Sequence, residues 1–256
     1  MDLGLHDRTY VVTGGSTGLG FATARALVDD GANVVVVSRR PDAVEQAVAE
    51  LGDRAAGIAA DLADPTTPAA AIRVALDRFG RVDGGLVSVG GPPPGSVTST
   101  TDEQWRSAFE SVFLGSVRMA RELYAAMAEG GTADGGAIAL VLSVSAVEVF
   151  PGLTTSNGLR PGLAMLVTDL ADEVGPRGTR VMGLLPGRIA TDRIVSLDAA
   201  TGDPAAAHER ATAAIPLRRY GRPEEFGRVA AFVLSPAASY LTGSLVTVDG
   251  GSTRHP

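Results

Sequence analysis

The sequence predicts an α/β protein built as one doubly wound domain, with helices covering both faces of a parallel sheet. Strand patterns and helix patterns alternate along the chain from residue 9 to residue 248, with no linker between them. Several strand patterns are unbroken runs of β-branched residues, such as 34–37, which is typical of parallel strands buried on both faces. This alternation favours right-handed crossovers around a single core.

Seven apolar runs predict the strands, at residues 9–13, 33–38, 55–60, 85–89, 137–143, 180–185 and 245–248. Helical spacing of apolar residues predicts helices at 19–29, 42–51, 67–79, 102–127, about 155–174 and 223–234. The Ala-rich, polar segment 192–215 is interrupted by Gly202-Asp203-Pro204 and is interpreted as a mobile lid over the substrate site. The segment 90–95, Gly-Gly-Pro-Pro-Pro-Gly, directly follows a strand and is interpreted as a stiff loop on the ligand side.

Composition excludes several classes of function. The formal net charge is −7 and no basic cluster is present, which argues against nucleic-acid binding. The absence of an apolar N-terminal segment and of an 18-residue apolar run predicts a cytoplasmic protein with no membrane contact. Neither cysteine nor lysine occurs, so thiolate nucleophiles, lysine bases and lysine Schiff bases are impossible. His6, His208 and His255 lack ligand spacing, so no metal site is expected.

A glycine-rich turn lies between the first predicted strand and the first predicted helix. Its sequence is Thr13-Gly14-Gly15-Ser16-Thr17-Gly18-Leu19-Gly20. In this position Gly14 lets the chain turn off the strand, Gly18 lets backbone approach a diphosphate, and Gly20 lets the helix pack closely. The helix N-terminus favours an anion there. The spacing departs from the common G-x-G-x-x-G pattern, so an ordinary strand-to-helix loop is the alternative.

Motifs along nearly the whole chain resemble those of the short-chain dehydrogenase/reductase superfamily, and most closely its 3-oxoacyl-carrier-protein reductase branch. Besides the glycine turn, the motifs are Asp61-Leu62, Gly80-Arg81-Val82-Asp83, Pro186-Gly187-Arg188-Ile189-Ala190-Thr191, residues 216–226, Tyr240-Leu241-Thr242-Gly243 and Val248-Asp249-Gly250-Gly251. The resemblance implies one Rossmann-type domain over residues 1–256, with a seven-stranded parallel sheet. It also implies a homotetramer, or a homodimer, in which helices 102–127 and 155–174 and the C-terminal strand meet their symmetry mates.

The resemblance implies a nicotinamide cofactor held by residues at several strand ends. The diphosphate is expected to lie between Ser16, Thr17 and Leu19, beside Gly14, Gly18 and Gly20. The adenine would contact Asp61 and Leu62, and the nicotinamide carboxamide would be held by Ile189 and Thr191. The turns after strands four and six contribute Gly90, Pro186 and Gly187. At the end of strand two, Ser38 stands where NAD-preferring relatives carry an acid. Because Arg39 follows it, a 2′-phosphate fits and NADP(H) is favoured over NAD(H). Alternatively, Arg39 is simply solvated.

The expected catalytic residues depart from the family pattern of Ser, Tyr-x-x-x-Lys and a helix Asn. The Ser falls on Ser143, whereas the Tyr falls on Ser156, the Lys on Arg160 and the Asn on Val112. A serine hydroxyl is a much weaker acid than a phenol, so Ser156 cannot simply replace the Tyr. Ser156 also has an alternative interpretation as a helix N-cap. Arg160 keeps the positive charge of the Lys and can still bind the cofactor ribose, but it cannot transfer a proton. Pro161 is expected to disfavour helical geometry at Arg160.

Other proton donors are possible, and they leave the function open between three classes. Glu148 on the substrate-side loop and His208 in the lid are candidate donors, each with a solvated side chain as the alternative. The first hypothesis is an NADP(H)-dependent oxidoreductase acting on an unidentified small carbonyl, alcohol or enone substrate. The alternatives are a non-redox enzyme (a cyclase, dehydratase or isomerase) and a catalytically silent protein that binds a cofactor or a partner.

Overall fold

A seven-stranded parallel sheet forms the centre of the molecule, as predicted. The computed structural model describes residues 2–130 and 135–254. The strands are β1 (Thr9–Thr13), β2 (Asn33–Ser38), β3 (Ala55–Ala59), β4 (Gly84–Val87), β5 (Ala137–Val141), β6 (Arg180–Pro186) and β7 (Ser244–Val248). Their order is β3-β2-β1-β4-β5-β6-β7, and every neighbouring pair is parallel. The chain therefore reverses its direction of travel across the sheet between β1 and β4.

Helices cover both faces of this sheet. They are α1 (Gly18–Asp29), α2 (Pro41–Leu51), α3 (Thr67–Phe79), α4 (Asp102–Ala108), α5 (Gly115–Glu129), α6 (Thr154–Val174), α7 (Asp192–Ala199), α8 (Pro204–Ala214) and α9 (Pro223–Leu234). Alternate residues of β1 enter opposite cores: Val11 packs in the core that contains α3, α5 and α6, whereas Tyr10 and Val12 pack in the core that contains α1, α2 and α9. This double burial explains the unbroken apolar strands.

A π-helical turn interrupts the helix predicted at 102–127. The segment Phe109–Leu114 joins α4 to α5 without a break, and Val112 at its centre is 1% exposed. The Ser116 hydroxyl donates to the Val112 carbonyl over 2.7 Å. Single π turns of this kind often occur at functional sites in proteins. Val112 is the position at which the resemblance predicts the family's Asn, and in the structure it packs in the core.

The expectation that Pro161 disturbs the helix at Arg160 is wrong. Helix α6 continues through Pro161, and Arg160 is one of its helical residues. A proline inside a helix removes one hydrogen bond and crowds the preceding turn. Here the buried neighbours Leu159 and Leu163 fix the helix against the sheet, so tertiary packing overrides the local preference.

Three predicted strands end sooner than expected, β3 by one residue and β4 and β5 by two residues each. At the ends of β4 and β5 a side chain bonds to the backbone of the loop that follows. The N–H of Ser88 donates to the Thr13 hydroxyl over 2.8 Å, which ends β4 at Val87. Strand β5 ends at Val141, and Ser143 caps a short 3-10 turn by accepting from the N–H of Ser145. Both strands thus turn into loops at the same edge of the sheet.

The segment predicted as a lid contains the helices α7 and α8. The Asp203 carboxylate accepts from the N–H of Ala206 and caps α8, so the Gly202-Asp203-Pro204 breaker separates the two helices. Among the helices of the described residues, none combines the length and the apolar character that crossing a membrane requires. The described residues also contain no group of three or more His, Cys, Asp or Glu side chains arranged for a metal ion. His255 lies outside the described residues.

Candidate functional site

The loops that leave β1, β4, β5 and β6 meet at the carboxyl edge of the sheet. Parallel strands bring their carboxyl ends to one edge, and ligands in such folds bind where the strand order reverses, here between β1 and β4. The loop after β4 is fixed to the loop before α6, since the N–H of Gly95 donates to the Gly152 carbonyl over 2.8 Å. Most of the residues predicted for the site lie on these loops.

The glycine turn fits a diphosphate because its backbone leaves no room for side chains. Gly14 and Gly18 have φ values of +59° and +56°, a region that favours glycine. A Cβ atom on Gly20 would collide with the carbonyl oxygen of Gly14, so α1 begins in backbone contact with the end of β1. This arrangement places the N-terminus of α1, with its partial positive charge, at the space between the carboxyl ends of β1 and β4, which we call the crevice.

The end of β2 presents a hydroxyl pair and a free guanidinium. Ser16 in the glycine turn donates to the Ser38 hydroxyl over 2.8 Å, so these two predicted cofactor residues are neighbours. Arg39 is exposed, and no described residue forms a hydrogen bond or an ion pair with it. A phosphate or a ribose hydroxyl at this position would therefore meet small polar groups and an available cation.

The turn after β3 keeps Asp61 accessible and Leu62 buried. The Asp61 carboxylate accepts from the N–H of Ala63 over 3.0 Å, and the Asp61 carbonyl accepts from the Thr67 hydroxyl over 2.6 Å. Leu62 is buried, and its carbonyl oxygen lies so close to Gly115 that a Cβ there would meet it at 2.6 Å. The backbone of Gly115, the first residue of α5, therefore packs directly against this turn.

The turn after β6 is fixed at both ends. A Cβ atom on Gly187, which follows Pro186, would meet Asp249 at 2.5 Å. Ile189 is buried and pairs with Gly221 through the bond from the Ala190 N–H to the Gly221 carbonyl, 2.8 Å long. The methyl group of Thr191 lies 3.4 Å from the position of a Cβ on Gly18, so this turn lies directly beside the glycine turn.

Glu225 supports the segment that carries Gly221. Its carboxylate accepts from Arg219 over 2.7 and 2.8 Å and from the N–H of Arg222 over 2.7 Å. The Arg219 bonds, followed by the Arg222 bond, lower the pKa of Glu225 to about 2. The carboxylate is therefore ionised at all physiological pH values, and the network holds at neutral pH.

Three serine hydroxyls and one arginine form the candidate catalytic cluster. Ser143 accepts from the N–H of Ser145 over 3.1 Å. The hydroxyls of Ser145 and Ser156 lie 2.8 Å apart, and both residues are buried. The N-cap interpretation of Ser156 is wrong: α6 begins at Thr154 after Leu153, so Ser156 lies inside the first turn and uses its hydroxyl for Ser145. Ser145 was not predicted as a site residue, although the Ser143-Val144-Ser145 alternation placed both serines in one turn.

Arg160 follows Ser156 by about one turn of α6. Its Nη1 donates to the Val141 carbonyl at the end of β5 over 2.6 Å, and the side chain is buried. Burial, together with the charge of Arg193, lowers the pKa of Arg160 to about 10. The guanidinium therefore remains a cation at neutral pH, able to stabilise negative charge but unable to take up a proton.

Neither of the other candidate proton donors forms a hydrogen bond with the serines or with Arg160 among the described residues. Glu148 is exposed on the loop after β5. His208 is exposed on α8, where its ring packs edge-on against Tyr220 with centroids 4.4 Å apart.

On the loop after β4, Gly90 has open space where a side chain would project. Arg193 on α7, which the sequence did not single out either, donates to the carbonyls of Gly91 and Pro92 in this region.

Comparisons with known proteins agree on one group of enzymes. The family model described as enoyl-(acyl carrier protein) reductase matches residues 14–253. Dehydrogenase/reductase SDR family member 4 of Bos taurus is 32% identical over 256 residues, covering 98% of this chain and 89% of that protein. L-sorbose reductase of Gluconobacter frateurii, solved with NADPH and L-sorbose, superposes with a TM-score of 0.93 at 29% identity over 100% of both chains. A 3-ketoacyl-(acyl-carrier-protein) reductase of Brucella melitensis, solved with NADH, gives a TM-score of 0.87 at 28% identity, covering 97% of this chain and 99% of that chain.

The buried hydroxyl pair of Ser145 and Ser156 is expected to contribute to the free energy of unfolding. Ser145→Ala or Ser156→Ala alone should lower the free energy of unfolding by about 1–3 kcal/mol, because the remaining hydroxyl loses its only partner among the described residues. The double variant should cost less than the sum of the two, by about 0.5 kcal/mol or more. Urea unfolding of all three variants measures this coupling. Ser196→Ala, an exposed serine on α7, is the control and should change stability by less than about 0.5 kcal/mol. Strict additivity of the two single effects would contradict the pairing.

Proposed function

This chain belongs to the short-chain dehydrogenase/reductase superfamily, and we propose that it is an NADP(H)-dependent oxidoreductase acting on a small carbonyl, alcohol or enone substrate. The family matches establish an oxidoreductase scaffold. The observation that carries the proposal is the glycine turn, whose backbone fits a diphosphate and faces the turn that holds Ile189 and Thr191. Structural neighbours solved with NADPH or NADH support a nicotinamide cofactor at this crevice.

In the proposed reaction the chain supplies positioning and electrostatic stabilisation. The bound cofactor supplies or accepts the hydride. Because the Ser143 oxygen already accepts from the Ser145 N–H, the Ser143 hydroxyl hydrogen is available to donate to a substrate oxygen. The Ser145–Ser156 pair lies beside it and keeps the neighbouring hydroxyls in fixed orientation. The Arg160 cation stabilises negative charge on the substrate oxygen or binds the ribose.

We propose that the site is non-standard, with Ser156 and Arg160 at the positions of the family's Tyr and Lys. No phenol then stands beside Ser143, so proton delivery relies on water or on the substrate. The same feature favours a second candidate function, a cofactor-binding homologue without turnover. Calorimetry with NADPH and NADH, followed by turnover with a panel of carbonyl compounds, separates the two. Tight NADPH binding without turnover of any substrate in the panel would favour the second.

The cofactor preference should respond to one substitution. Ser38→Asp should weaken NADPH binding and improve NADH binding, since a carboxylate repels the 2′-phosphate and accepts from ribose hydroxyls. A shift of about 1–3 kcal/mol is expected when a hydrogen bond to a charged group forms or is lost. Calorimetric titration of both cofactors into wild type and variant measures it, with Ser99→Asp, on an exposed loop, as the matched control. A wild type that already prefers NADH would show that the interpretation of Arg39 is wrong.

Restoring the family's acid should raise carbonyl reduction. Ser156→Tyr with Arg160→Lys installs a phenol and an ammonium that lowers the pKa of the phenol. General acid catalysis typically raises the reaction rate by about 10²–10⁴-fold. We expect a smaller gain, because Val112 leaves the relay incomplete and the phenol needs space beside the buried Ser145. The assay is NADPH oxidation with a β-keto ester between pH 6 and 9.

The control for this experiment is Ser143→Ala in the same background. A gain that disappears without Ser143 supports an oxidoreductase site in the family position. If the double variant binds NADPH normally and gains nothing, the site serves a reaction other than carbonyl reduction.

The assembly we propose is a homotetramer, with a homodimer as the alternative. Met165 on α6 is 73% exposed, and Phe109 and Leu245 on the π turn and the edge strand β7 are also exposed. Large apolar side chains on a helix face and on an unpaired sheet edge favour burial against a second copy of the chain. Light scattering at micromolar concentration should give about four times 26.1 kDa. A stable monomer would contradict this assembly. The cytoplasmic location stays a prediction.

A further inference from the structure

Two guanidinium groups lie over neighbouring strand ends beside the serine cluster. Arg160 is anchored to Val141, the last residue of β5. Arg193 reaches across from α7 and donates to the Gly91 carbonyl over 2.9 Å and to the Pro92 carbonyl over 3.0 Å, on the loop after β4. Strands β4 and β5 are adjacent in the sheet. The two charges interact, because the charge of Arg193 contributes to the lowered pKa of Arg160.

Neither cation has a carboxylate partner among residues 2–130 and 135–254. Arg160 is 4% exposed, and its Nε is buried with no hydrogen-bond partner. A buried cation without a counterion destabilises a fold, and a buried donor without an acceptor adds to that cost. The arrangement becomes favourable when an anion with several acceptor oxygens enters.

Arg180 shows how the same fold accommodates a partly buried guanidinium that needs no ligand. It donates to the carbonyls of Val233, Ser235 and Leu241, at the amino end of β6. Three carbonyls therefore surround its charge, whereas Arg160 bonds to one and keeps a buried N–H unpaired. The difference lies in the surroundings and not in the residue type, and it singles out the carboxyl edge as the place prepared for an anion.

Gly91 provides the space for Arg193. A Cβ atom at this glycine would collide with the guanidinium carbon of Arg193, so the cation occupies the space that a side chain at position 91 would need. Arg193 is exposed to solvent while Arg160 is buried. Arg193 is therefore the cation that an anion from solvent can contact directly, and Arg160 keeps an unpaired N–H at the end of the neighbouring strand.

We propose that Arg193 and Arg160 bind a carboxylate on the substrate, so that the substrate is a small ketone, alcohol or enone that carries an acid group. This inference rests on the proposed oxidoreductase function and names its substrate class. The same chemistry would suit a phosphate of the cofactor. The substrate carboxylate is favoured because the diphosphate has its own backbone site at Gly14–Gly20, whereas the arginines lie over β4 and β5 beside Ser143.

Calorimetry can test this binding without turnover. Wild-type protein, alone and saturated with NADP⁺, is titrated with 4-oxopentanoate and 2-oxobutanoate, and with neutral 2-pentanone and 2-butanone. We expect the carboxylates to bind at least about tenfold more tightly than the ketones. Arg193→Gln should remove that advantage, and Arg193→Lys should keep part of it, because an ammonium retains the charge without the two-pronged geometry. Arg106→Gln, an exposed arginine on α4, is the matched control and should leave binding unchanged.

The outcomes separate this inference from the proposed function. Carboxylate binding that depends on Arg193 supports the anion site even if the protein fails to oxidise NADPH, and in that case only the proposed function falls. Equal carboxylate affinity in wild type and Arg193→Gln would overturn the inference. Carboxylate binding that NADP⁺ abolishes and Arg193→Gln leaves intact would also overturn it, since the anion would then occupy the diphosphate turn.

Discussion

Contact between backbones, with no side chain between them, holds the functional edge of this protein together. Gly20 packs on the Gly14 carbonyl, and Gly227 of α9 packs on the Ala22 carbonyl of α1, each so closely that a Cβ atom would collide. Helix α1 is therefore pressed against both the end of β1 and its neighbour α9. A methyl group added at Gly20 or Gly227 would push α1 outward and move its N-terminus away from the carboxyl edge of the sheet. The position of the glycine turn thus depends on close packing of backbone against backbone.

The two edges of the sheet handle charge in opposite ways. At the amino edge, Asp83 is fully buried and accepts from the N–H of Thr9 and from Arg81, so the charge is neutralised where β1 and β4 begin. At the carboxyl edge, Arg160 is as deeply buried but has one carbonyl partner and no carboxylate among the described residues. The buried carboxylate thus has its charge partners within the chain, whereas the buried guanidinium has no charged partner among the described residues.

Sequence patterns predicted the elements well and their local chemistry less well. All seven strands and the long helices occur where apolar spacing placed them, because buried strands and amphipathic helices leave regular signatures. Apart from strand ends and the π turn, the wrong predictions concern α6. Pro161 was expected to disturb the helix and Ser156 to cap it, and both expectations followed local preferences that packing against the sheet overrides. The π turn at Phe109–Leu114 left no signal, since its residues keep a helical apolar pattern.

By itself, the sequence determined the fold, the glycine turn and the absence of lysine and cysteine chemistry, because these depend on residue identity and on spacing along the chain. Only the tertiary structure decided which side chains meet. Ser16 with Ser38, Ser145 with Ser156, and Arg193 with the loop after β4 are separated by 22, 11 and about 100 residues in sequence. Parallel strands bring such distant loops to one edge, and burial there decides whether a hydroxyl or a guanidinium finds a partner. That is a property of the packed molecule, which no local pattern records.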